Sequence, residues 1–209
     1  MISWSGLRGL LVAPARSPCQ PLLDRLHQTG VQLAFRERAP AGEQEALLQA
    51  VAAELGAPPD LLLWSTLGRF ARDPGAPAEW GPWLDQEVAA CAALCLSFLR
   101  TRPANRDARI VLLFAAALTE PAPDDLFAAM VQAALQGLLS ALARLGEPRF
   151  TINGVQLFDP VDPRGAAGLG ADEELLTELV RTLRFLVEEG DFVSGVLIPL
   201  DGARSSGEG

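Results

Sequence analysis

Apolar positions along this chain fall into short continuous runs and helical stripes that take turns from one end to the other. Gly9-Leu10-Leu11-Val12 is a brief run stopped by a proline-containing turn, and Leu22, Leu23 and Leu26 then repeat at helical spacing until Gly30. Residues 31–35 alternate between charged borders and predict a second strand. Leu47, Leu48, Val51 and Leu55 mark one face of a helix over 43–55, with Gly56 placed to cap it. The segment 60–64 is apolar almost throughout, as a strand buried on both faces should be.

After a loop rich in proline, glycine and tryptophan, Leu84, Val88, Cys91, Cys95 and Phe98 predict a helix over 84–99. Residues 109–114 form the next buried strand. Asp124 and Asp125 then open an uncharged helix over 126–143, at the end where a helix dipole favours acids. A strand over 150–155, an amphipathic helix over 172–189 and a last strand over 195–200 complete the pattern. Strands alternating with helices predict an α/β fold, a parallel sheet with helices on both faces wound by right-handed crossovers. One domain over residues 1–203 is expected, followed by a flexible tail over 204–209.

Composition removes whole classes of chemistry. The chain has no tyrosine, and every one of its 17 basic residues is arginine, so Schiff-base lysines, P-loop lysines and Tyr/Lys redox pairs are excluded. His27 is the only histidine, which disfavours triads and most zinc sites, and it reads as a surface or C-cap residue. A net charge of −9 disfavours nucleic acid and anionic membranes as partners. Cys19, Cys91 and Cys95 form no paired framework and read as buried thiols, and the first residues carry no basic export region, so the cytoplasm is the expected compartment. The uncharged segment 126–143 holds Gln132, Gln136, Gly137 and Ser140 among alanines, which predicts a protein-buried helix rather than a membrane span. Asp159 and Asp162 lie in a proline loop and Glu173 and Glu174 open a helix, so turn and dipole chemistry accounts for both carboxylate pairs and no metal site is expected.

Several stretches resemble the short-chain dehydrogenase/reductase family, a Rossmann-like fold. Gln132-Ala133-Ala134-Leu135-Gln136-Gly137-Leu138 is similar to its KAALxGL helix, Phe150-Thr151-Ile152-Asn153-Gly154-Val155 to its IRVNAV strand, and Val193 to Gly202 to its closing SGxxxxVDGG segment. Arg109-Ile110-Val111 is similar to the GRIV strand. The resemblance spans nearly the whole chain and is most specific in its C-terminal half. It implies a six-stranded sheet from which one edge β-α unit of the family's usual seven strands has been deleted.

At the family's functional positions the chain departs. The resemblance puts Ala13, Ser17 and Cys19 where the glycines of the phosphate turn stand, with Pro14, Pro18 and Pro21 interleaved, and each proline removes a backbone donor. It puts Ala128 at the catalytic tyrosine and Gln132 at the lysine, and Phe114-Ala115-Ala116-Ala117 where the catalytic serine follows its strand. Trp64-Ser65-Thr66-Leu67 replaces NNAG, and the helix over 84–99 has no asparagine. The resemblance therefore implies no bound cofactor and no catalysis.

The two central helices, which in the family pack against their symmetry mates, are uncharged over 88–99 and 126–143. Apolar character all round a helix predicts a second covering layer, and Val88, Cys91, Cys95, Phe98, Met130, Ala134 and Leu138 are the expected interface residues. The expected role is a non-catalytic subunit in a heterotetramer with an active NAD(P)-dependent paralogue. By likeness to family arrangements such as hydroxybenzylsuccinyl-CoA dehydrogenase, that paralogue would act on a β-hydroxyacyl- or β-ketoacyl-CoA. The alternative is a homo-oligomeric small-molecule-binding or regulatory module that uses the old substrate cleft.

Overall fold

The structure, a computed structural model, describes residues 2–14, 19–39, 42–66, 80–102, 106–116, 126–145, 150–158, 173–190 and 193–201. In chain order the elements are β1 (Arg8–Ala13), α1 (Gln20–Gln28), β2 (Gln32–Glu37), α2 (Gln44–Leu55), β3 (Leu61–Ser65) and α3 (Trp80–Leu84). A π-helical turn at Asp85–Ala89 continues α3 into α4 (Ala90–Arg100), and β4 (Ala108–Ala116), α5 (Leu126–Ala143), β5 (Phe150–Phe158), α6 (Glu173–Glu188) and β6 (Leu197–Asp201) follow.

All pairings are parallel, and the strand order is β2-β1-β3-β4-β5-β6. This is the expected sheet, with β2 at the edge from which the resemblance removes a unit. The period-two alternation of the strands sorts their side chains onto two faces. Leu11, Leu63, Val111 and Val155 point to the face covered by α1 and α6. Leu10, Leu62, Ile110 and Ile152 point to the face covered by α2, α4 and α5.

Local chemistry sets the boundaries. Gly56 ends α2 in the left-handed region at φ 73°, where glycine has no Cβ penalty. The helix expected from 84 begins earlier, at Trp80, because Pro82 lies in its first turn, where a missing N–H costs nothing. β4 and β5 run past the expected 114 and 155 and pair over nine positions, from Ala108↔Phe150 to Ala116↔Phe158.

β6 starts later than expected because the two residues before it serve as a clasp. Gly195 N–H donates to Ile152 O at 2.7 Å and Gly154 N–H to Val196 O at 2.8 Å. The buried Asn153 adds a side-chain pair, Nδ2 donating to Val193 O at 2.9 Å and Oδ1 accepting from Val196 N–H at 3.3 Å. Two of the stretches that carry the resemblance thus hold each other. Gly195 sits at φ 81°, and a Cβ there would lie 2.9 Å from Ala143 Cβ. Gly195→Ala is expected to cost about 1–3 kcal/mol, from left-handed strain plus the clash with α5; urea unfolding checks it, and an unchanged midpoint would contradict the clasp.

Candidate functional site

In an open parallel sheet, ligands bind outside the carboxyl ends of the strands where the strand order reverses. Here that point lies between β1 and β3, since β1 leads outward to β2 and β3 leads the other way. β1 ends on Ala13, which is fully buried, and α1 starts from Cys19, also fully buried. Across the reversal point Cys19 Sγ donates to Ser65 Oγ at the end of β3, 3.7 Å away. One atom contact therefore bridges the crevice.

The next layer is a buried ion pair. Arg38, the residue after β2, donates Nη2 to Ser65 O at 2.6 Å and Nη1 to Glu87 Oε1. Its guanidinium also lies over the Trp64 ring, 4.8 Å from the centroid, a cation–π distance. The Arg38 side chain is 7% exposed and that of Glu87 0%. Glu87 reaches this position from the π-helical turn, which widens the helix by one residue and re-aims its side chains.

Electrostatics here favour structure over reactivity. Burial holds the Cys19 thiol above its ordinary range, outweighing the Ser65 hydrogen bond and the Arg38 charge that pull it down. Helix starts usually lower a thiol's pKa, but desolvation wins. The Cys91 thiol is raised well above the usual range by burial and by its neighbour Cys95. All three cysteines are free and buried, as their pattern predicted.

At the start of α1 a phosphate would meet poor company. Pro21 sits in the first turn, no side chain caps it, and Gln20 Nε2 donates to Asp24 Oδ1 at 2.6 Å, holding a carboxylate one turn in. Further along the same edge, Phe114-Ala115-Ala116 ends β4, Leu157-Phe158 ends β5 and Leu126-Phe127-Ala128 begins α5. These residues carry no acid, base or nucleophile.

No protein-family model matches the sequence, and the search of curated proteins finds no match. Solved structures do match. A short-chain dehydrogenase/reductase from Serratia marcescens is 20% identical, with 96% of this chain and 98% of that one covered and a TM-score of 0.71. The fold is that of the short-chain dehydrogenase/reductases. The enoyl-[acyl-carrier-protein] reductase (NADH) of Aquifex aeolicus aligns at 16% identity, covering 95% and 96% of the two chains, with a TM-score of 0.73. BdcA in complex with NADPH aligns at 21% identity, covering 95% and 94%, with a TM-score of 0.64.

On a short-chain dehydrogenase/reductase fold the residues named from sequence fall as follows. Ala13 and Cys19 lie at the reversal point, while Ser17 is outside the described residues. Ala128 and Gln132 are one turn apart in α5, Gln132 half-buried, and the side chain of Ala128 is outside the described set. His27 is exposed, its Nε2 3.1 Å from Leu33 O. Glu173 pairs with Arg25 at the start of α6, and Asp159 and Asp162 lie outside the described residues. Among the described residues no three His, Cys, Asp or Glu side chains group to hold a metal, and no helix is long and apolar enough to cross a membrane.

The expected interface needs correction. Cys91, Cys95 and Phe98 are 0–1% exposed inside this chain's own core, against the sheet, and cannot face another subunit. Spacings of four and three pick out the most regular apolar stripe of a helix, and that stripe covers the sheet. Val88, Met130 and Leu138 are half-buried against the same core, and Ala134 is half-buried beside them. The outward face is instead Leu96 on α4, at 37% exposure, with Ala133, Gly137, Ser140 and Ala141 on α5.

Sequence reasoning missed Arg38, Glu87 and Glu37. The usable signal was position: the end of the second strand is where dinucleotide folds carry an acid for the ribose, or an arginine for a 2′-phosphate. Glu37 is exposed there, and Arg38 is turned inward onto Glu87. For Glu87 there was no signal, since a lone acid in a helical stretch reads as surface.

Proposed function

We propose that this chain is a non-catalytic subunit on a short-chain dehydrogenase/reductase fold, which assembles with an active NAD(P)-dependent paralogue and stabilises it. The observation that carries the reading is the Arg38–Glu87 pair. Arg38, which follows β2 where a nucleotide phosphate could be met, is neutralised by an internal carboxylate and held against Trp64 and Ser65. Glu37 remains as a ribose contact, but one charged hydrogen bond contributes about 1.5–3 kcal/mol, while micromolar affinity takes about 8 kcal/mol. Pro14, Pro18 and Pro21 each take one backbone donor from the stretch where the resemblance puts the pyrophosphate turn, which adds to that deficit.

Loss at the catalytic positions supports the same reading. Alanine at 128 has no proton to donate, and glutamine at 132 has no charge with which to lower a neighbour's pKa or hold a ribose. Assembly is supported by the outer face of α4 and α5, which carries no charged residue from Val88 to Leu99 or from Leu126 to Ala143. The proposal extends to an acyl-thioester substrate for the partner by likeness to family arrangements of this kind.

The test is recovery of the tagged chain from its native host. A second short-chain dehydrogenase/reductase should co-purify in equal amount, at the native mass of a heterotetramer. A chain recovered alone, whose melting temperature rises with a small metabolite, would overturn the subunit reading in favour of a ligand-binding module.

A further inference from the structure

We propose that the amino edge of the sheet, opposite the nucleotide edge, is a binding site for a tetrahedral oxyanion of the phosphate class, held by Arg8, Arg102 and Arg106. Three neighbouring strands bring the site together. Asp60 N–H donates to Arg8 O at 2.8 Å and Arg109 N–H donates to Asp60 O at 3.0 Å, so Arg8 and Asp60 stand side by side at the starts of β1 and β3, with Arg109 one position further along on β4. The connection from α4 to β4 adds Arg102 and Arg106.

Charge at this edge is out of balance with itself and with the chain. The groups whose charge Arg102 feels are Asp60, Arg106, Asp107 and Arg109, and Arg8 joins through Asp60. Four guanidiniums face two carboxylates, an excess of two positive charges, in a chain whose net charge is −9. Crowding and burial push Arg102 down to about 10, with desolvation the largest cause and Asp60 only partly offsetting it. A dianion is the charge that restores balance.

The donors are also unspent. Asp60 Oδ2 is 3.9 Å from Arg8 Nε and Asp60 Oδ1 is 3.7 Å from Arg106 Nε, separations too long for hydrogen bonds. Arg8 Nε and Arg102 Nη2 are buried without a hydrogen-bond acceptor among the described residues. Buried donors left unmade are costly, and planar guanidinium forks match the oxygens of a phosphate better than any other side chain does. The N–H groups of Asp60 and Arg109 are already bonded within the sheet, so the proposed selectivity rests on the arginines. Arg102 is held in place from behind, its guanidinium 5.9 Å from the centroid of the Phe98 ring.

The probe is inorganic phosphate, titrated into the full chain by calorimetry at fixed ionic strength, with chloride as the reference anion. Saturable binding of phosphate and no saturable binding of chloride are expected. Arg102→Gln and Arg106→Gln should each weaken phosphate about tenfold or more, the loss of one charge-assisted hydrogen bond. Both side chains are partly exposed, so the variants should fold, and Arg184→Gln on the far helix α6 should bind phosphate as the parent does. Glycerol phosphate in a parallel titration separates the sources: equal binding means an esterified phosphate is admitted, and binding of inorganic phosphate alone means a closed site. Phosphate behaving as chloride does, or unchanged affinity in both glutamine variants, would overturn the proposal.

Discussion

Replacing Arg38 with alanine is expected to destabilise the fold by about 3–5 kcal/mol, because it strands the Glu87 carboxylate in a fully buried site. The loss should be comparable for Glu87→Ala, which strands the guanidinium instead. Both exceed what an exposed pair contributes, about 0–1 kcal/mol, and the difference comes from burial: the two side chains are 7% and 0% exposed. Exposed pairs elsewhere in the chain, such as Arg36 with Glu54, serve as the internal control. The double variant Arg38→Met with Glu87→Leu should recover most of the loss, since an apolar pair of similar volume removes both desolvation costs at once. Urea unfolding of the three variants reads the outcome. Single-variant losses below about 1 kcal/mol would mean the pair is hydrated, and the nucleotide edge open to exchange.

A charge placed on the outer face of α4 or α5 should leave the isolated chain almost untouched and break its assembly. Leu96 is 37% exposed, and a Cβ added at Gly137 meets nothing within 4 Å. Leu96→Glu is a surface change within about 0.5 kcal/mol, and Gly137→Arg should favour its helix by up to about 1 kcal/mol. At a packed interface the same charges would be desolvated without a partner, at a cost of about 3 kcal/mol or more, a weakening above about a hundredfold. Size-exclusion chromatography with mass determination checks both. Intact assembly in both variants would place the contact elsewhere on the surface.

The fold was legible because its signals are local and repeated. A strand buried on both faces, such as Leu61–Ser65, cannot avoid a continuous apolar run, and a helix packed on one face cannot avoid the stripe of Leu48 and Val51. Ala128 and Gln132 could be placed against the catalytic positions because they lie in or beside a stretch whose register the resemblance sets. The outward face of α4 and α5 was not legible. Periodicity locates the most regular apolar stripe, which on α4 is Cys91, Cys95 and Phe98 against the sheet. The opposite face is made of alanine, glycine and serine, whose small side chains are equally at home in water and in contact. Arg38 and Glu87 are 49 residues apart in sequence, and only the π-helical turn and the end of β2 bring them together. No spacing rule covers such a pair, nor the arginines of the amino edge, which come from two strands and a loop.

Titration of the purified chain with NADH and with NADPH, followed by calorimetry, tests most directly whether this fold has parted from its cofactor. No saturable binding of either nucleotide is expected up to about 1 mM, where a Kd corresponds to only about 4 kcal/mol. Micromolar binding of either one would contradict it, because the Arg38 guanidinium would then have to leave Glu87 for the nucleotide.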